Sequence, residues 1–166
     1  MKKWRTLFSI LLLSHCIISC SQSAYGVRNI YAFKTVRMAG TIARDENGKS
    51  LAPRIDTSHF MYVEVKGDGV TWLGAWKEGR SYHINAFPEN NPSIDLGKNK
   101  TTGQEIQLAT AKGYRLWQLA LIPDSINRTS PTTIKENEII LQGKSANKIF
   151  TVKTNKETEL IQPPAQ

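Results

Sequence analysis

The chain has 166 residues, of which 40% are hydrophobic and 22% are charged, and its formal net charge at pH 7 is +8. This length predicts one domain, and the composition is that of an ordinary globular protein, which excludes a disordered chain, a collagen-like repeat and a disulfide scaffold. Only one stretch is apolar enough to enter a bilayer, so a polytopic membrane protein is excluded as well.

The first 19 residues have the pattern of a cleaved secretory signal. Lys2, Lys3 and Arg5 give this segment a positive start, and residues 7–18 form an apolar stretch broken only by two serines and a histidine. The stretch is shorter than the ~20 residues that span a bilayer, which favours a signal peptide over a membrane helix. An uncleaved signal anchor or a plain secreted protein is the alternative.

The signal ends in the motif Ile17-Ile18-Ser19-Cys20. This motif resembles the bacterial lipobox, in which aliphatic and small residues precede a cysteine that receives a diacylglycerol. The resemblance implies that Cys20 is the first mature residue and that acyl chains on its thiol and amine anchor the protein in a membrane of the cell envelope. By resemblance to the sorting rules of bacteria with two membranes, Ser21 in the next position favours the outer membrane.

Removal of residues 1–19 changes the charge and the cysteine count. This segment holds three of the 22 basic residues and none of the 14 acidic ones, so the mature chain carries a net charge of +5. The basic residues are spread along the chain, and such a pattern in an exported protein predicts no nucleic-acid partner. Cys20 is the only cysteine left, so we expect no disulfide and no free thiol.

The mature chain divides into a lipidated tether over residues 20–29, a folded domain over 30–161 and a loose tail over 162–166. In the domain, apolar and polar residues alternate and turn residues interrupt them, which predicts strands rather than helices. We expect strands in the segments 36–42, 60–66, 70–77, 81–87, 114–122, 138–142, 148–153 and 157–161. Residues 88–103 and 123–137 are predicted to be long loops. The pattern predicts an all-β fold, a single antiparallel β-sandwich or small barrel of about seven or eight strands.

Residues 40–51 read GTIARDENGKSL, with a turn signal at Asp45-Glu46-Asn47-Gly48. The segment resembles the opening hairpin of transthyretin-like, carboxypeptidase-regulatory-like sandwich domains, which has a Gly-Thr-Val strand, an acidic Asn-Gly or Asp-Gly turn and then a small residue and Leu. The Gly-Ala-x-Val strand that this family has next is absent, and residues 52–56 read APRID instead. The resemblance implies a β-sandwich.

Two short connections predict how the central strands pair. A three-residue loop at Gly67-Asp68-Gly69 would join segments 60–66 and 70–77, and a two-residue turn at Glu78-Gly79 would join 70–77 to 81–87. These registers place an apolar set on one face: Met61, Val63, Val65, Leu73, Ala75, Tyr82, Ile84 and Ala86. They place a mixed set on the other: Phe60, Tyr62, Glu64, Lys66, Trp72, Gly74, Trp76, Ser81, His83 and Asn85. If Asp68-Gly69 is a two-residue turn instead, the first strand reverses its faces and the tryptophans are buried.

The mixed face is the candidate ligand site. Flat aromatic rings beside polar groups suit a sugar, whose C–H faces rest on the rings while its hydroxyl groups form hydrogen bonds. The predicted site residues are Trp72, Trp76, His83, Tyr62, Glu64 and Asn85. The alternative is that another layer covers this face and the rings only pack.

Neither a metal site nor a catalytic site is predicted. His59, His83, Asp56 and Glu64 are the available metal-binding side chains, but no two histidines have the spacing of zinc ligands. No Gly-x-Ser-x-Gly, Ser-x-x-Lys or His-Glu-x-x-His motif is present. We therefore expect no cofactor and a non-catalytic lipoprotein that binds a partner or assists assembly in the envelope. A glycan-binding module is the first alternative, and an envelope hydrolase is the second.

Overall fold

A computed structural model describes residues 25–38, 43–51, 55–67 and 69–161. The predicted signal segment, Cys20 and the predicted tail lie outside these ranges. The described residues contain ten strands and no α-helix, so none of their elements is a long apolar helix of the kind that crosses a membrane. The strands are β1 (Val27–Met38), β2 (Ile55–Val65), β3 (Val70–Lys77), β4 (Arg80–Pro88), β5 (Ser93–Lys98), β6 (Glu105–Ala109), β7 (Arg115–Pro123), β8 (Ile139–Ser145), β9 (Lys148–Thr154) and β10 (Glu157–Leu160).

Eight strands form one curled sheet with the order β10-β1-β2-β7-β4-β3-β8-β9, and β5 and β6 form a separate hairpin. Only Asn155 and Lys156 connect β9 to β10, although these strands lie at opposite edges of the sheet. Because so short a connection spans only about 11 Å, the two edges must lie close together. The all-β fold is confirmed, but β1 and β10 pair in parallel, so the sheet is mixed rather than antiparallel.

The inner face of the curled sheet holds the main hydrophobic core. Alternate residues of each strand point into it, as Met61, Val63 and Val65 of β2 do, all fully buried. Burial of such an aliphatic side chain stabilises the fold by about 1.5–3 kcal/mol. Val27 is also fully buried in this core. The folded domain therefore begins within the segment that was predicted to be a tether.

A second apolar cluster lies on the outer face, where the β5–β6 hairpin covers β1 and β2. Leu108 of the hairpin is buried there together with Phe33 and Tyr62. The connection between β5 and β6 also covers the edge strand β10, because the Lys100 backbone N–H donates to the Glu159 carbonyl at 2.8 Å. The prediction of a loop over residues 88–103 was therefore wrong for β5.

The local hairpin at Glu78-Gly79 is confirmed, and both turn residues have positive φ, as a type I′ turn requires. A second tight turn, Ala146-Asn147, joins β8 to β9. The predicted hairpin across residues 67–69 was wrong. β2 pairs with β1 and β7, whereas β3 pairs with β4 and β8.

A β-bulge in β3 corrects the predicted faces. Trp72 pairs with Gly143 and Gly74 pairs with Gln142, so Leu73 is an extra residue in the ladder. The bulge moves Trp72 to the inner face, where it packs against the main core, while Leu73 leaves the predicted apolar set. The other seven members of that set do pack in the inner core.

Candidate functional site

Part of the outer face of the sheet is not covered. The β5–β6 hairpin covers β1 and β2, and residues 124–138, which contain no strand, pack over β3. Between these coverings, β4 and β7 present three cross-strand pairs of outward-facing residues. We call these residues the open strip: His83 with Ile122, Asn85 with Ala120, and Phe87 with Gln118. The side chain of Phe87 is 54% exposed and that of Ile122 is 38% exposed.

A cleft of about 690 Å³ adjoins the open strip and lies between the sheet and the β5–β6 hairpin. Gln118 belongs to both, because it lines the cleft and pairs with Phe87 of the strip. Residues that line this cleft include Thr35, Phe60, Tyr62, Leu96, Lys98 and Gln118. We call it the outer-face cleft.

Aromatic rings form the floor of the outer-face cleft. Phe60 and Tyr62 meet edge to face with ring centroids 6.1 Å apart, and Phe33 lies behind them, stacked on Phe60 at 5.7 Å. Burial and the nearby Glu89 carboxylate raise the pKa of Tyr62 to about 12. The Tyr62 hydroxyl is therefore neutral at any physiological pH.

Three polar side chains at the cleft are not engaged within the protein. Thr35, Lys98 and Gln118 line it, and none of their side chains forms a hydrogen bond or an ion pair with another described residue. Asp95, by contrast, already accepts a hydrogen bond from the Gly97 N–H at 2.8 Å. The cleft thus combines an aromatic floor with a hydroxyl, an amide and an ammonium group that are available to a ligand.

The two tryptophans of the predicted site do not lie together. Trp72 is on the inner face, and its indole N–H is buried without a hydrogen-bond partner among the described residues. Trp76 is on the outer face but only 4% exposed. Its indole N–H donates to the Arg128 carbonyl at 3.0 Å, and the Arg128 guanidinium lies 5.4 Å from its ring centroid. The predicted platform of two exposed tryptophans is therefore not formed.

The other predicted site residues have three different environments. Tyr62 lines the outer-face cleft. His83 and Asn85 lie in the open strip, where the His83 Nε2 is 3.1 Å from the Asn85 Oδ1. Glu64 is only 2% exposed and accepts hydrogen bonds from the Asn29 side chain and the Ala111 backbone, both at 2.6 Å. The Glu64 carboxylate therefore forms its hydrogen bonds within the fold and has a structural role.

Sequence reasoning missed a charged cluster at the edge of the inner core. Glu157 of β10 contacts His59 Nδ1 at 2.8 Å and Lys77 Nζ at 2.9 Å. Burial alone would raise the pKa of Glu157, but the hydrogen bonds from His59 and Lys77 outweigh it and hold that pKa below its usual value. The described residues contain no group of three or more side chains that could bind a metal ion. No sequence signal predicts this cluster, because β2 and β10 become neighbours only by pairing on either side of β1, and β3 reaches them only through the curling of the sheet.

Comparison of this chain with protein families, curated proteins and solved structures gives no match.

Proposed function

We propose that this chain is a lipid-anchored, non-catalytic protein of the bacterial envelope that binds a partner protein through the open strip. The acylated Cys20 is the anchor, and Ser21 favours the outer membrane. The observation that carries the proposal is the uncovered stretch of β4 and β7 between two covered parts of the same sheet.

The chemistry of the open strip suits a protein surface. Phe87 and Ile122 offer exposed apolar area, and Asn85 and Gln118 place amide groups beside Phe87. Exposed apolar residues rimmed by polar ones are typical of protein interfaces. The contacts of His83 support a binding role over catalysis, since its ring bonds to an amide and not to a carboxylate.

Site-specific photo-crosslinking in intact cells tests this proposal. A benzophenone amino acid at position 87 should give one discrete adduct, and Ile122→Asp on the same chain should abolish it. Ile126 is 80% exposed but lies outside the strip, so the same label there is the matched control. No adduct at position 87, or the same adduct from position 126, would contradict the proposal.

The outer-face cleft favours a second candidate function, glycan binding. Phe60 and Tyr62 supply ring surfaces, and Thr35, Lys98 and Gln118 supply free polar groups for sugar hydroxyls. The full chain with Gln118→Ala or Lys98→Ala should lose binding to an oligosaccharide from the bacterial cell wall in titration calorimetry, while Lys156→Ala should not. If the wild-type chain shows no heat with such oligosaccharides, this candidate is rejected.

A further inference from the structure

The end of the sheet where the chain enters the fold is rich in lysine. β1 begins there, β2 ends there, and β7 and β9 begin there, as the pairs of Val27 with Val65 and of Val65 with Arg115 show. Four exposed lysines lie in the strands and turns of this end, and we call them the basic rim: Lys66, Lys112, Lys144 and Lys148. Within the described residues, none of these four forms an ion pair.

The carboxylates at this end and in the rest of the domain differ in their ion pairs. At this end the Arg28 guanidinium lies 3.8 Å from the Glu64 carboxylate. Elsewhere, the carboxylates of Glu138, Glu157 and Glu159 each contact a lysine. Glu89 lies at this end as well, where it lines a surface hollow together with Lys112. No carboxylate in the described part of the chain forms an ion pair with a rim lysine, so the rim keeps a positive charge there.

The predicted lipid anchor, Cys20, is separated by only a few residues from the part of the chain that lies at this end of the sheet. Tyr25 is fixed there because its ring stacks on Phe150 with centroids 5.0 Å apart. Only five residue steps separate Tyr25 from Cys20, and they span at most about 18 Å when fully extended. A lipidated Cys20 therefore holds the basic rim near the bilayer, and charges interact over about 10 Å at moderate salt.

We infer that the basic rim docks on anionic phospholipid headgroups of the bilayer that carries the anchor. This inference rests on the lipid anchor of the proposed function. The exposed Ile149 lies beside Lys148 and adds an apolar side chain to the contact. Between Lys66 and Lys148 the surface has a hollow of about 600 Å³, which offers space for a headgroup phosphate between two ammonium groups. Docking orients the domain, because the rim and the anchor then act together at one surface.

Lysine labelling of the reconstituted protein tests the inference. The acylated mature protein, which begins at Cys20, is placed in vesicles of phosphatidylcholine, or of equal parts phosphatidylcholine and phosphatidylglycerol, and treated with a membrane-impermeant amine reagent. Lys66, Lys144 and Lys148 should react about fivefold more slowly in the anionic vesicles, the factor that corresponds to ~1 kcal/mol for a lysine near an anionic surface. Lys156, at the opposite end of the sheet, should react equally in both.

High salt should remove the slower labelling of the rim lysines in anionic vesicles. The double variant Lys144→Glu/Lys148→Glu should remove it for Lys66. The control variant Lys156→Glu should leave it unchanged. Equal labelling of the rim lysines in both kinds of vesicle, with the protein floating with both, would overturn the docking inference alone. Failure of the protein to float with either kind would overturn the lipid anchor and the inference with it.

Discussion

The guanidinium group of Arg128 lies directly against the α-carbon of Gly74, at the point where β3 and β4 separate. A β-carbon at position 74 would be 2.8 Å from Arg128 Nη2 and 3.0 Å from Nη1. The same two nitrogens donate to the carbonyl groups of Tyr82 at 2.8 Å and Leu73 at 3.2 Å. The pairing of β3 with β4 ends at Ala75 and Tyr82. Arg128 therefore donates hydrogen bonds to two carbonyl groups at the point where this strand pairing stops.

This contact predicts that Gly74→Ala destabilises the fold. The added methyl must displace the guanidinium from the Leu73 and Tyr82 carbonyls, so we expect the free energy of unfolding to fall by about 1–3 kcal/mol through the loss of these hydrogen bonds. Urea unfolding measures the change. Gly69→Ala is the matched control, because a β-carbon there has no atom within 4 Å. Equal stability of both variants would show that the contact with Arg128 imposes no constraint.

Arg128→Ala should also destabilise the fold, by about 1–3 kcal/mol, since two backbone carbonyls and the Trp76 ring lose their partner. Arg128→Lys keeps the charge but cannot span both carbonyls, so it should recover little of the loss. Arg80→Ala, at an exposed position in β4, should leave the urea midpoint unchanged. Full recovery with lysine would mean that charge alone matters at position 128.

The cluster around Glu157 predicts a loss of stability in acid. Because the pKa of Glu157 is below its usual 4.5 in the folded chain, its contacts with His59 and Lys77 stabilise fully above that usual value. This stabilisation is lost as the pH falls through the folded pKa. The urea midpoint of the wild type should therefore drop between about pH 5 and pH 3.

Glu157→Gln removes the titrating carboxylate, so the variant should be less stable at pH 7 and show a shallower fall in acid. Glu136→Gln, at an exposed position, should follow the wild-type profile. A variant at position 157 with the wild-type acid profile would show that other carboxylates control the acid response.

Phe150 and Gly143 form a second close pair, across β8 and β9. A β-carbon at position 143 would lie 2.6 Å from Phe150 Cζ, and the ring is 97% buried beneath Tyr25 and beside Trp72. Gly143→Ala should therefore destabilise the fold by about 1–3 kcal/mol. The double variant Gly143→Ala/Phe150→Leu should lose less free energy of unfolding, measured with urea, than the two single variants lose in sum. Strict additivity would show that the ring and the added methyl do not meet.

Prediction from the sequence was correct where contacts between residues close in the chain determine the structure. The turn at Glu78-Gly79 fixes the register of β3 and β4 within a few residues, and alternation placed Met61 and Ile84 on the inner face. The turn at 45–48 is also present, with the Gly48 N–H bonded to the Asp45 carbonyl at 2.9 Å. In each case the deciding contacts are close in sequence.

Prediction from the sequence failed where contacts between residues far apart in the chain determine the structure. The hairpin predicted at Gly67 does not form, because β2 pairs with β7, which comes about fifty residues later. The bulge at Leu73 changes the face of Trp72, and no composition signal marks it. Trp76 is covered because Arg128 folds back onto it from a long loop. Of the predicted site, Tyr62, His83 and Asn85 remain near the proposed binding surfaces.

Lipidation of Cys20 can be tested by measuring the intact mass of the protein extracted from bacterial membranes. We expect a chain that begins at Cys20, with a mass above that of its polypeptide by a diacylglyceryl group and an amide-linked acyl chain. The Cys20→Ala variant should carry neither group. A wild-type chain without these groups, or a mature chain that begins at another residue, would show that Cys20 is not the anchor.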